Sequence, residues 1–203
     1  MNLELLLSFV IMLNPFALFL YLKGVMEELS AGDFYLVLFK ASLISYMIFI
    51  VFAIFGESIF IDFFKINFES FRIFGGIVIF AYALVFIMKG SKAWITMKES
   101  LDDLSSEIAL PFMVGAGTIS LSVIVGFKNS VPMTLFKIFI VMVINYAIIA
   151  LLKIAKDFLD KKMQKRAFDK YSNILVRING FIVGAIGVDM ITKGIQAIYQ
   201  GMK

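Results

Sequence analysis

Six stretches of the chain are almost uninterrupted apolar sequence, at about 3–22, 36–56, 71–89, 108–127, 133–153 and 174–195, and polar residues gather between them. A helix rises about 1.5 Å per residue and a bilayer core is about 30 Å thick, so roughly 20 apolar residues suffice to cross it. Each stretch has that length, and none shows the short alternating segments of a membrane barrel. The pattern predicts six transmembrane helices. The first stretch opens on Glu4 with no basic residue before it and outruns a signal-peptide core, so it reads as a retained span.

Composition narrows the class. The 203 residues are 61% hydrophobic and 17% charged, with a mean hydropathy of +0.95, against about 45–50% and about 25% in soluble domains. A soluble shell needs more charge than this, and a disordered chain needs far less apolar sequence. Residues 1–203 therefore read as one membrane domain. Without His or Cys there is no disulfide, no thiolate or imidazole metal site, and no His base or Cys nucleophile. No phosphate-binding loop is present, and Asp189, Glu57 and Glu107 do not pair on one helix face as catalytic carboxylates would. The expectation is a protein that is not an enzyme, holds no cofactor and, despite its net charge of +4, binds no nucleic acid.

The basic residues set the orientation. Lys23, Lys40, Lys89, Lys92, Lys98 and eight more between Lys153 and Arg177 fall on one side of a six-span layout, 13 of the 19 in all. Cytoplasmic loops carry the excess of Lys and Arg. Both termini are thus expected outside a cell membrane, with Lys153–Lys170 as a topology anchor and Trp94 at the interface.

Three matches in order point to an internal duplication. Arg72-Ile73-Phe74-Gly75 corresponds to Arg177-Ile178-Asn179-Gly180 at an offset of 105, and Lys89-Gly90 to Lys193-Gly194 at 104. Ser45-Tyr46 corresponds to Asn145-Tyr146 at 100. A three-span unit is odd, so its second copy must cross the membrane in the opposite sense. The reading is all-α, with two inverted three-helix repeats (about 1–90 and 107–203, joined by a loop at 91–106). Secondary transporters use this plan, and their discontinuous helices meet at the midplane.

Such a plan expects a break in the first helix of each half. Span one carries Asn14-Pro15 near its middle; proline removes a backbone donor and bars helical angles just before it. Span four carries Gly115-Ala116-Gly117, followed by Thr118, Ser120 and Ser122, with Pro111 expected at the helix start. Irregular backbone at that depth survives only where protein or a watery cavity surrounds it. A half-helix N-terminus offers N–H groups to a carboxylate, and carbonyls across the break face an ammonium or a coupling cation. A zwitterion of amino-acid size satisfies both ends. An ordinary kink and a close-packing site are the plainer alternatives.

Asp189, the carboxylate deep inside a span, is a candidate coupling group, although Lys193 one turn on offers it a partner. Tyr46, Asn145, Tyr146, Asn179 and Tyr82 are candidates for lining a cavity or for bonding across helices. Gly180-x-x-x-Gly184 and Gly75-Gly76 read as close-packing sites.

Asn14-Pro15-Phe16 resembles the Asn-Pro motif of the MarC family of six-span membrane proteins. Phe71-Arg72-Ile73-Phe74-Gly75-Gly76 is similar to that family's third span, and Val176-Arg177-Ile178-Asn179-Gly180 to its sixth. The family has Gly-Pro-Gly where this chain has Gly115-Ala116-Gly117, and usually Gln at the place of Asp189. The resemblance implies a transporter of small neutral amino acids such as glycine and alanine. The substrate would lie against Asn14, Pro15, Phe16, Gly115, Ala116, Gly117, Thr118 and Ser120, driven by a proton or sodium gradient. An ion channel, an efflux protein for other small solutes and a membrane scaffold are the alternatives, and a homo-oligomer is open.

Overall fold

The computed structural model describes residues 3–56, 58–63, 65–90, 100–160 and 165–201, the side chains of 111, 159, 160, 165–170 and 172 excepted. Expectations for Glu57, Lys92, Trp94, Lys98 and the side chains of Pro111 and of Lys161–Lys170 lie outside the described residues. Every described element is helical. The first crossing is split into α1 (Leu3–Leu13) and α2 (Pro15–Tyr21), and α3 (Lys23–Glu28) follows. Next come α4 (Ala31–Phe55), a π-type turn at Ile59–Phe63, and α5 (Phe68–Lys89). The rest is α6 (Leu101–Glu107), a π-type stretch at Ile108–Met113, α7 (Ala116–Phe127), α8 (Val131–Asp160) and α9 (Lys165–Gly201).

Five helical stretches are long and apolar enough to cross a bilayer: Leu3–Tyr21, Ala31–Phe55, Phe68–Lys89, Val131–Phe158 and Asn173–Gly201. The chain is an all-α, multi-pass membrane protein. The fourth expected span is corrected. Its continuous part, α7, has 12 residues, about 18 Å of rise, and the wider π-type stretch before it carries Leu110 at non-helical angles (φ −119°, ψ 119°). The helix does not begin at Pro111, because α6 is already under way from Leu101. The two longest expected connections also shrink. Residues 101–107 are helical, and α8 and α9 run on to Asp160 and back to Lys165.

Local chemistry sets the ends. Ser30 Oγ accepts from the Asp33 amide at 3.1 Å and Ser100 Oγ from Asp103 at 3.0 Å, each returned by a serine-to-aspartate bond of 2.7 Å. Both are helix N-caps that satisfy amides with no partner in the first turn. Gly90 ends α5 at φ +55°, a left-handed angle that side chains resist.

The bundle buries an apolar core that also holds several polar side chains, and its outer face is rich in large apolar residues. Ser45, Thr118, Ser122 and Asn145 are buried, while Leu7, Phe39, Leu43, Met47 and Phe139 face outward. Lipid accepts the apolar face, and small or polar residues serve helix contacts. Residues on α4 and α8 are buried in the same order at an offset of 100, from Phe34 and Thr134 through Ser45 and Asn145 to Ala53 and Lys153.

Helices α5 and α9 run antiparallel in close contact. A Cβ on Gly76 would lie 2.7 Å from the Gly187 carbonyl oxygen, and one on Gly180 would lie 3.2 Å from that of Ala83. At the ends, Gly90 faces Asn173 and Arg177, and Gly194 faces Glu69 and Ile73. Each pair of contacts maps onto the other at an offset of 104. The Arg72 and Arg177 motifs, offset by 105, are therefore one residue out of packing register: Gly76 answers Gly180, and Gly75 answers Asn179. Helix α4 runs alongside the second broken crossing, from Lys40–Asp102 (2.5 Å) through Ser45–Met113 (3.3 Å) to the close approach of Ala53 and Gly126.

Candidate functional site

The first break forms because Pro15 has no N–H to continue the ladder of α1. Asn14 takes the left-handed conformation (φ 48°, ψ 62°), which asparagine tolerates better than most residues. Its Oδ1 accepts from the Ala17 amide at 3.2 Å, capping α2. Its Nδ2 donates to Asn179 Oδ1 at 3.1 Å, and Asn179 Nδ2 donates to the Tyr21 hydroxyl at 2.8 Å. One chain of bonds thus ties the break to α9 and to the far end of α2.

The second break uses glycine and threonine. Gly115 is extended (φ −131°, ψ 171°), and its N–H donates to Thr118 Oγ1 at 2.9 Å. Thr118 Oγ1 in turn lies 3.0 Å from the Met113 carbonyl and 2.9 Å from that of Gly115, the two acceptors within reach of its proton. Helix α7 then starts with no side-chain cap beyond that contact, so its opening amides point out of the helix end. A Cβ on Gly75 would fall onto that of Ala116. Bare backbone on α5 is what lets the second break dock there, at the position where α9 offers Asn179 to the first.

Both breaks face one cavity of about 340 Å³. Asn14, Gly115, Ala116, Gly117 and Thr118 are in its wall, together with Met12, Tyr21, Tyr82, Phe86 and Phe112. Among the described residues, no wall residue carries a formal charge. Tyr21 stacks on Phe86, with ring centroids 3.9 Å apart, and Phe112 stands 5.8 Å from Tyr21 and from Tyr82.

Several expected residues lie elsewhere. Pro15 is buried behind the wall, Phe16 is 40% exposed on the outer side of α2, and Ser120 Oγ is bonded to the Ala116 carbonyl at 2.8 Å, so none of the three lines the cavity. Asp189 is on the outer face of α9, paired with Lys193 at 2.7 Å, and both side chains are more than half exposed. Tyr46 donates to the Leu135 carbonyl at 3.4 Å, tying α4 to α8. Tyr146 packs half-buried against the core, and Asn145 is fully buried with neither amide atom partnered among the described residues. Asn179 sits just behind the wall; of the candidate cavity residues, Tyr82 alone is in it.

The sequence reading missed Tyr21, Phe86 and Met12. For Tyr21 a signal existed, since it follows Asn14 by seven residues and so shares its helix face. For Phe86 and Met12 there was none, because only the docking of α5 and α1 around the breaks brings them in.

A family model described as MarC family integral membrane protein matches residues 2–199. The chain belongs to the MarC family. Among curated relatives, a UPF0056 membrane protein of Pyrococcus horikoshii is 24% identical over 189 residues, covering 93% of this chain and 90% of its own. Another of Methanocaldococcus jannaschii is 26% identical, covering 91% and 90%. YhcE, a UPF0056 membrane protein of Escherichia coli, is 28% identical, covering 72% and 69%. No solved structure matches the chain.

Proposed function

We propose that this MarC family protein is a secondary-active transporter of small neutral amino acids, working by alternating access and coupled to a proton or sodium gradient. It performs no covalent chemistry. Its place is the cell membrane, with both termini outside. The observation that carries the reading is the uncharged cavity bounded by both helix breaks. The opening turn of α7 is suited to a carboxylate, and carbonyls beside either break are suited to an ammonium or a coupling ion.

The packing supports alternating access. The antiparallel, reciprocal contacts of α5 and α9 and the shared burial order of α4 and α8 are what two inverted three-helix units would produce. Each unit then rocks against the other around a site they share.

The test is uptake of labelled glycine and alanine into proteoliposomes under imposed pH or sodium gradients, with counterflow as the second format. Saturable uptake that collapses with one gradient is expected. Gly117→Leu should abolish it while the protein still inserts, because a Cβ there already lies 2.9 Å from Met12 Cε and 3.2 Å from Met190 Sδ. Absence of saturable uptake and counterflow in the wild type would overturn the reading in favour of a channel or scaffold.

A further inference from the structure

The bonds behind the cavity wall have a fixed direction. The Ala17 backbone N–H can only donate, so the atom of Asn14 that faces it must be Oδ1. That leaves Asn14 Nδ2 to face Asn179, whose Oδ1 must accept it, and Asn179 Nδ2 is then the group that meets Tyr21. Tyr21 accepts there. A phenol has one proton to give, and here it cannot go to Asn179. Among the described residues no acceptor receives it, although Tyr21 is only 4% exposed. Asn179 stands behind the wall and Tyr21 is part of it, which leaves the cavity as the direction open to that proton.

Apart from the backbone carbonyls at the breaks, which accept, the free polar groups of the wall that can be assigned a direction donate. The Ala116 and Gly117 amides at the start of α7 add to the Tyr21 hydroxyl, and Thr118 Oγ1 is engaged by its own turn. A ligand that fits must bring a hydrogen-bond acceptor, and with no basic side chain in the wall it must be held by dipoles.

We propose that Tyr21 binds the carboxylate of the transported amino acid, and that Asn179 is a positioning residue that keeps the tyrosine proton turned toward it. The proposal rests on the transport reading above. It makes the carboxylate the recognised end of the substrate, shared between the Tyr21 hydroxyl and the opening turn of α7. A hydrogen bond to a charged acceptor is stronger than one between neutral groups, so its loss is visible in affinity.

The experiment is alanine exchange in proteoliposomes, with alaninol, which lacks the carboxylate, as a competitor. Tyr21→Phe keeps the ring stacked on Phe86 and removes only the hydroxyl. It should raise the half-saturation concentration for alanine about tenfold with the maximal rate nearly unchanged. The weak competition by alaninol should be the same in both proteins. Asn179→Asp supplies a second arm. Ionised, it accepts from both Asn14 and Tyr21 and draws the tyrosine proton away from the cavity. As the neutral acid, it donates to Tyr21 and restores the native direction. Its defect relative to the wild type should therefore ease as pH falls, and adding Tyr21→Phe to the ionised form should cost nothing more. Wild-type exchange with an unchanged half-saturation in Tyr21→Phe would overturn this assignment and leave transport standing. Absence of wild-type exchange would overturn both.

Discussion

Asn14 carries three duties at one position: a left-handed backbone, the cap of α2 and the bond to Asn179. Alanine in its place loses the cap, worth about 0.5–2 kcal/mol, and bears about 1–2 kcal/mol of left-handed strain that glycine would escape. Asn14→Ala should thus melt lower in detergent than Asn14→Gly, and both lower than wild type, as followed by thermal unfolding. Asp189 is the opposite case. Its pair with Lys193 lies on the exposed face of α9, away from the cavity, and such pairs contribute about 0–1 kcal/mol. Asp189→Asn should leave the half-saturation for alanine and its dependence on either gradient unchanged. A lost gradient dependence would return Asp189 to the transport path. The sequence marked Asp189 because a carboxylate in an apolar span is costly, but which face of α9 it occupies is settled only by how α9 packs.

At the scale of elements, glycines decide how near helices come. A Cβ on Gly126 of α7 would strike the Ala53 backbone of α4, and one on Gly187 of α9 would lie 2.8 Å from the Gly76 carbonyl oxygen of α5. Neither backbone can yield as a side-chain tip would. Gly126→Leu and Gly187→Leu should each lower the melting temperature strongly and reduce the yield of monodisperse protein on gel filtration. Gly32→Ala is the matching control. It lies in the exposed first turn of α4, where a Cβ meets only Ser30 Oγ at 3.8 Å, and alanine favours a helix over glycine by about 1 kcal/mol. Its melting temperature should stay level or rise. These contacts also explain why the Arg-Ile-x-Gly match misleads by one position. Sequence similarity rewards the same letters, whereas the α5–α9 contact rewards small residues at equivalent depth, and Gly76 and Gly180 are the pair that has it.

Across the whole molecule, the basic residues divide unequally between the two sides of the six-span layout, 13 against 6. Lys153 lies over the Phe34 ring, 5.5 Å from its centroid, and bonds Asp157 at 2.8 Å, while Lys40 reaches Asp102 at 2.5 Å and Arg177 the Ile87 carbonyl at 3.0 Å. These groups belong to the side with the excess of basic residues. Lys137, bonded to Asn129, and Arg72, 3.4 Å from Glu69, belong to the other. With no native cysteine in the chain, a single introduced thiol reports its side without ambiguity. Lys128→Cys should react with an impermeant maleimide in intact cells, and Glu28→Cys only after permeabilisation. The reverse would invert the assigned orientation.

Much of this protein follows from the order of its residues. Apolar runs of bilayer length must become helices, because lipid offers backbone groups no other partner. Asn14-Pro15 cannot continue a helix, and Gly115-Ala116-Gly117 gives one little reason to form. The helical class, the multi-span character and the places of the breaks were therefore readable one residue at a time. Where the fourth crossing starts was not, since the π-type stretch and α6 hold their shape through burial of Leu104, Ile108 and Met113 against the rest of the bundle. Nor was the wall of the cavity. Tyr21, Phe86 and Asn179 come from three helices far apart in sequence, and the direction of the bonds among them is set by a single backbone N–H. Local order determines which segments are helical and where they break; only packing decides which side chains the breaks face.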